Sequence, residues 1–103
     1  IPANGYALLV KSVAAAGNLA NATTTYTTAA MAGGGGGLAI FDAANAIVDS
    51  VGYGTATNTF IEGAAGPVAP ANQSVARTPN GTDTNSNTAD FKIAVASTPK
   101  AAN

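Results

Sequence analysis

The apolar residues of this chain are gathered into short runs, each bounded by glycine, proline, asparagine or aspartate. Runs of about four to eight residues rich in valine, isoleucine and aromatic residues are typical of β-strands. They are GYALLVKS at 5–12, SVART at 74–78 and ADFKIAVAS at 89–97, with a further pair over 38–54. The sequence therefore predicts an all-β fold of short strands.

The segment 38–54, LAIFDAANAIVDSVGYG, predicts a β-hairpin. Its two β-rich runs flank DAAN, and Asp42 and Asn45 suit a turn because their side chains bond nearby backbone groups. Long loops are predicted over 13–37, which includes one extended piece around Tyr26 and a run of five glycines, and over 54–73. All 103 residues are interpreted as a single domain.

Large apolar side chains are scarce, since alanine dominates the 47% apolar share and tryptophan is absent. A thin core, as between two close sheets, is expected. Charged residues make up only 9% of the chain, against about 25% in ordinary soluble domains. A surface of this kind does not repel its own copies, which favours self-association. Four scattered basic residues argue against nucleic-acid binding.

Cysteine and histidine are both absent from the sequence. Disulfides, thiolate metal sites and a histidine general base are therefore excluded. No apolar run is long and bulky enough to predict membrane insertion. The five acidic residues include no carboxylate pair with supporting aromatic sugar platforms, so the sequence predicts no enzyme.

Two opposite charges fall on predicted inward-facing strand positions. Asp49 shares a strand face with Val51 and Tyr53, and Arg77 shares one with Val75. An unpaired buried charge is costly, so these two residues are expected to meet. We predict a structural Asp49–Arg77 contact, with Asp90 as the competing partner.

The segment DTNSNTAD at 83–90 carries oxygen-bearing side chains at short spacing. Its pattern matches the first three ligand positions of a calcium loop, but the glycine and the bidentate glutamate of an EF-hand are missing. The favoured interpretation is a turn in which these side chains bond local amides. The alternative is a calcium site, without any other cofactor, formed by Asp83, Asn85, Asn87 and Asp90.

The spaced set VDSVGYG, EG, QSVAR, DTNSNTADF and TP resembles the lamin-tail domain family in its secreted bacterial form. The resemblance covers nearly the whole chain, including IPANGYALLV, MAGGGGGLAIFD and FIEGAAGPVAP. It corresponds to the C-terminal portion of that domain, because the family's N-terminal strand segments are missing. The resemblance implies an immunoglobulin-like antiparallel β-sandwich, incomplete at the N-terminus, in a bacterial protein that is secreted or at the cell surface.

A sandwich that lacks strands exposes unpaired backbone edges and apolar surface. We therefore expect a homo-oligomer or filament formed by strand complementation, with a neighbouring chain or a missing segment completing the fold. The expected function is a non-catalytic extracellular structural or interaction module, of a filament or surface-layer-like kind. The alternatives are an accessory domain of a secreted nuclease or phosphatase, and a calcium-dependent adhesion or carbohydrate-binding module.

Overall fold

The computed structural model describes residues 3–13, 19–27 and 31–102. Contacts divide the chain into two compact units, Ile1–Ala30 with Thr98–Ala102 and, separately, Met31–Ser97. The described residues form three two-stranded sheets and contain no helix with the length and hydrophobicity to cross a lipid bilayer. The β-rich prediction is confirmed at this level, whereas the immunoglobulin-like sandwich and the single-domain organisation stay predictions.

The first unit contains strand β1 (Leu9–Lys11) beside strand β2 (Thr24–Tyr26). Val10 is buried in this unit, and the Leu8 N–H donates to Thr23 Oγ1 at 2.9 Å. The two strands are parallel, which departs from the predicted antiparallel arrangement. A parallel pair needs a connection of about a dozen residues or more, and residues 12–23 provide it.

The second unit contains the predicted hairpin, in which strand β3 (Gly35–Phe41) pairs antiparallel with strand β4 (Ile47–Gly54). The Asp42 carboxylate forms the turn by accepting hydrogen bonds from the N–H groups of Ala44 and Ala46, at 2.8 and 2.9 Å. Asn45 has a φ of 60°, a left-handed conformation that asparagine tolerates. The predicted turn is therefore confirmed.

Two strands fall within the predicted loop over 13–37. Strand β2 confirms the extended piece expected around Tyr26, whereas the start of β3 was predicted as loop. Strand β2 occupies 24–26, and β3 begins at Gly35, while residues 14–18 and 28–30 lie outside the described residues. Glycine suits the start of β3 because side chains from elsewhere in the unit lie against it. A Cβ at Gly37 would lie 2.6 Å from Asn58 Oδ1, and one at Gly36 would lie 2.9 Å from the Tyr53 hydroxyl.

Gly52→Ala is expected to destabilise the second unit by about 2 kcal/mol, because overpacking a closely packed site costs about 1–3 kcal/mol. The added Cβ would collide with Ile61 Cγ1 and lie 3.0 Å from the Ile61 Cα. The matched control is Gly33→Ala, where a Cβ meets open space. Chemical denaturation checks this prediction, and equal midpoints for the two variants would contradict it.

The second unit ends in strand β5 (Ser74–Arg77), a single-turn helix α1 (Asn87–Asp90) and strand β6 (Phe91–Ala94). The strand predicted from the run at 74–78 is present as β5, and it pairs antiparallel with β6. The predicted strand over 89–97 is too long at both ends. Its first two residues belong to α1, where the Asp90 N–H donates to the Ser86 carbonyl at 2.9 Å.

Candidate functional site

Arg77 lies at the centre of a charged cluster in the second unit. Its Nη2 donates to Asp49 Oδ1 at 2.7 Å, and its Nη1 donates to the Thr82 carbonyl at 2.8 Å. The same Nη1 lies 3.2 Å from Asp83 Oδ1 and 3.4 Å from Asp90 Oδ2. The contact with Asp49 expected from the strand faces is present, and so is the contact with Asp90. We call these five residues the Arg77 cluster.

Strand register explains how the Arg77 cluster assembles. Asp49 lies opposite Ile40 in the hairpin, and Arg77 lies opposite Phe91 in the other sheet. The guanidinium carbon is 4.7 Å from the centroid of the Phe91 ring, a cation–π contact. The Arg77 side chain is 14% exposed, so it joins the two sheets from a largely desolvated position.

Asp90 is the buried anion of the Arg77 cluster, with 1% of its surface exposed. It accepts hydrogen bonds from the Thr84 N–H at 2.8 Å and the Thr84 hydroxyl at 2.7 Å. These two bonds lower the pKa of Asp90 below 3.8, against the opposing effect of burial. A hydrogen bond from the Ser86 backbone and the positive charge of Arg77 lower this pKa further.

The lowered pKa of Asp90 predicts a specific loss of stability in acid. Its contribution is fully present above the unfolded-state pKa, near 3.8, and is lost as the pH falls through the lower folded-state pKa. Thr84→Val removes the hydroxyl bond but keeps the backbone bond, so it should shift this loss to higher pH. Asp90→Asn should remove this component of the pH dependence.

Urea unfolding at a series of pH values from 3.8 downwards measures the effect. A Thr84→Val profile that overlays the parent profile would show that the hydroxyl does not hold the pKa of Asp90 down.

Asn87 is the second buried polar centre, with none of its surface exposed. Its Oδ1 accepts from the N–H groups of Gly52 at 2.8 Å and Glu62 at 2.9 Å. Its Nδ2 donates to the Ser50 carbonyl at 3.2 Å and to Glu62 Oε2 at 3.0 Å. Both amide protons and both oxygen lone pairs are therefore used.

These bonds close the outer edge of β4, the edge that faces away from β3. The Asn87 side chain binds the Ser50 carbonyl and the Gly52 N–H as a neighbouring strand would. Next to it, the Gly66 N–H donates to the Gly52 carbonyl at 2.8 Å, and the Gly54 N–H donates to the Gly66 carbonyl at 2.9 Å. Covering an edge in this way prevents pairing with another chain.

The four candidate calcium ligands all have roles in protein hydrogen bonds. Asp83 accepts from the Asn85 N–H at 3.1 Å and contacts Arg77, while Asp90 and Asn87 hold the bonds described above. Asn85 has a φ of 55°, a turn conformation. Among residues 3–13, 19–27 and 31–102, no group of three or more acidic, histidine or cysteine residues is placed to hold a metal ion. Calcium binding stays an untested alternative.

Sequence reasoning missed the role of Asn87, which it assigned only to the calcium alternative. Three of the four partners of its amide are backbone groups from two distant segments, and backbone partners leave no pattern in side-chain identity. It also missed Thr84, whose hydroxyl and N–H bind Asp90. The only signal available was the density of asparagine, serine and threonine between 80 and 88.

Comparison of the chain with protein-family models, curated proteins and solved structures found no match. The resemblance to the lamin-tail domain therefore stands on the sequence segments alone.

Proposed function

We propose that this chain is a non-catalytic structural and interaction module, secreted or on the surface of a bacterial cell. In this proposal it is a self-assembling subunit of a filament or surface layer. Its immunoglobulin-like antiparallel sandwich is completed by a neighbouring chain or a missing segment. The observation that carries the proposal is the polar interior of the second unit.

The second unit buries polar side chains, whereas a complete domain buries mainly large apolar ones. Its buried side chains, among the described residues, are Ser50, Asn87 and Asp90. Large apolar residues are normally the most buried class. Among the described residues of this unit none of them is fully buried, and Val51, Tyr53, Phe60, Ile61, Val75 and Phe91 are half-buried. Nine others are exposed by between 37% and 80%, and they are Met31, Leu38, Ile40, Phe41, Ile47, Val48, Val68, Ile93 and Val95.

Exposed apolar surface of this kind marks a site of association. Burying this surface lowers the free energy by roughly 25 cal/mol per Å² of apolar area. The formal net charge of −1 means that repulsion between copies is weak. Together these properties support a subunit that acquires its apolar core by assembly.

The acidic residues support the non-catalytic part of the proposal. Asp49, Asp83 and Asp90 surround Arg77, Asp42 binds turn amides, and Glu62 accepts from Ser50 and Asn87. These are all five acidic residues of the chain, which also has no histidine or cysteine. A general base or nucleophile of the usual kinds would have to come from groups already engaged in holding the fold.

Sedimentation velocity over a concentration series tests the proposal. We expect the mass to rise from the 9.9 kDa monomer to multiples of it as the concentration increases. A folded species of 9.9 kDa at every concentration would overturn the proposal. Runs with calcium and with a chelator are included, because assembly that needs calcium would favour the calcium-dependent adhesion module instead.

A further inference from the structure

The hairpin has two outer edges, and the residues that the structure describes cover only one of them. The groups of Ser50, Gly52 and Gly54 that bind Asn87 and Gly66 point away from β3. In an antiparallel pair, the backbone N–H and C=O groups of successive residues point alternately towards the partner strand and away from it. The backbone N–H and C=O groups of residues 49, 51 and 53 in β4 therefore point towards β3.

The register of the hairpin fixes which groups of β3 face outwards. Leu38 lies opposite Val51, so its backbone groups face β4. The backbone groups of Gly37 and Ala39 consequently point away from β4. Within the described ranges, strand β3 has β4 as its one neighbour in the sheet, and these outward groups have no hydrogen-bond partner there.

Strand β3 also lacks the features that normally protect a free edge. Natural edge strands carry lysine or other charges, proline, or a covering segment. The strand reads GGGLAIF, without a charge or a proline. Leu38 and Ile40 are 48% and 64% exposed on it. A free edge of this type accepts an extended strand, because unpaired N–H and C=O groups recur at every second residue.

The side-chain pattern of β3 shows which strand fits best. Leu38 and Ile40 lie on one face, and Gly37 and Ala39 lie on the other. A fitting strand must carry large apolar side chains on one face, small ones on the other and no charge. Strand β3 has this pattern itself, and a two-fold axis perpendicular to the sheet keeps equivalent faces together.

We infer that β3 pairs antiparallel with β3 of a second copy, forming a continuous β4–β3–β3–β4 sheet across a two-fold axis. The inference rests on the proposed self-assembly and identifies β3 as the strand through which two copies meet. Pairing places Leu38 and Ile40 of both copies side by side, where cross-strand apolar pairs stabilise a sheet. It also extends the wall of an open apolar cavity of about 340 Å³, whose lining includes Leu38, Val51, Val75 and Phe91.

Single-cysteine variants test the contact, because the chain has no cysteine of its own. Directly opposed residues in an antiparallel pair have Cα atoms about 4.5–5.5 Å apart, within disulfide range. Leu38→Cys or Ala39→Cys, whichever lies nearer the axis, should form a disulfide-linked dimer at least about tenfold faster than Val48→Cys. Val48 is a matched control, since it is 63% exposed but lies on β4. Equal rates for all three variants would overturn the inference.

A second pair of variants tests the outward N–H donor of Ala39 without disturbing the hairpin. Ala39→Pro eliminates an N–H that faces away from β4, a position where edge strands accept proline. Ala39→Ser keeps that N–H and the small size. We expect Ala39→Pro to raise the dissociation constant for self-association by at least about tenfold, and Ala39→Ser to leave it within about twofold.

The outcomes separate this inference from the proposed function. If the parent chain associates and Ala39→Pro associates equally well, self-assembly stands and the β3 contact is wrong. If the parent chain is a folded monomer at every concentration, both are wrong. Circular dichroism of each variant confirms that the hairpin remains folded.

Discussion

Asn87→Ala is expected to lower the free energy of unfolding by about 4 kcal/mol, since each buried polar group left without a partner costs about 1–3 kcal/mol. The substitution removes the partner of the Gly52 and Glu62 N–H groups and of the Ser50 carbonyl. It also opens the outer edge of β4. Alanine is the strongest helix former, so α1 itself is not weakened. Small domains are stable by about 5–15 kcal/mol, which makes this loss a large fraction of the total.

The control for this variant is Asn85→Gly. Asn85 has a φ of 55°, which glycine adopts readily, and its hydrogen bond to Asp83 Oδ1 is made by its backbone N–H. The free energy of unfolding should change by no more than about 0.5 kcal/mol. Urea denaturation followed by circular dichroism measures both variants. If Asn87→Ala lost as little free energy of unfolding as Asn85→Gly, the buried amide of Asn87 would not stabilise the outer edge of β4.

Arg77→Met is expected to lower the free energy of unfolding by about 2 kcal/mol. Removing one partner of a buried ion pair costs about 3–5 kcal/mol, but Asp49 and Asp83 are 38% and 47% exposed, and solvent screening reduces their share. The loss also leaves the Thr82 carbonyl without the bond from Nη1. Methionine retains part of the apolar contact with Phe91.

Two further substitutions show whether charge or geometry matters at this position. Arg77→Lys keeps the charge but loses the planar fork that reaches several acceptors at once, so its stability should lie between those of the parent and Arg77→Met. Lys92→Met removes an equal charge from an exposed side chain that donates to the Thr88 carbonyl at 2.8 Å. It should cost under about 1 kcal/mol, as exposed contacts do. A Lys92→Met loss as large as that of Arg77→Met would contradict a special role for Arg77.

The strands and the hairpin turn were predictable because their signals are local. Alternating apolar residues marked β4, and Asp42 with Asn45 marked the turn. The start of β3 was not predictable, since Gly35 has no strand propensity and is placed there by packing against residues 55 and 56. The parallel pairing of β1 with β2 was also missed, because it joins strands that local patterns cannot relate.

Some contacts of the candidate site were likewise predictable from the sequence, and others were not. The Asp49–Arg77 contact followed from strand faces and the cost of an unpaired charge, both of which can be argued from sequence. Thr84 and Asn87 could not be assigned, because their bonds depend on where a turn places a hydroxyl or a backbone N–H in space. The thin core between two close sheets stays a prediction. Leu38 and Ile40 are among the few large apolar residues that could form it, yet they are 48% and 64% exposed.

Amide hydrogen exchange at several protein concentrations tests the central claim most directly. The Leu38 N–H faces β4 and should be protected at every concentration. The Gly37 and Ala39 N–H groups face outwards, and their protection should rise with concentration in parallel with the population of the dimer. Fast exchange at Gly37 and Ala39 in concentrated solution, where the chain is associated, would contradict strand pairing at β3.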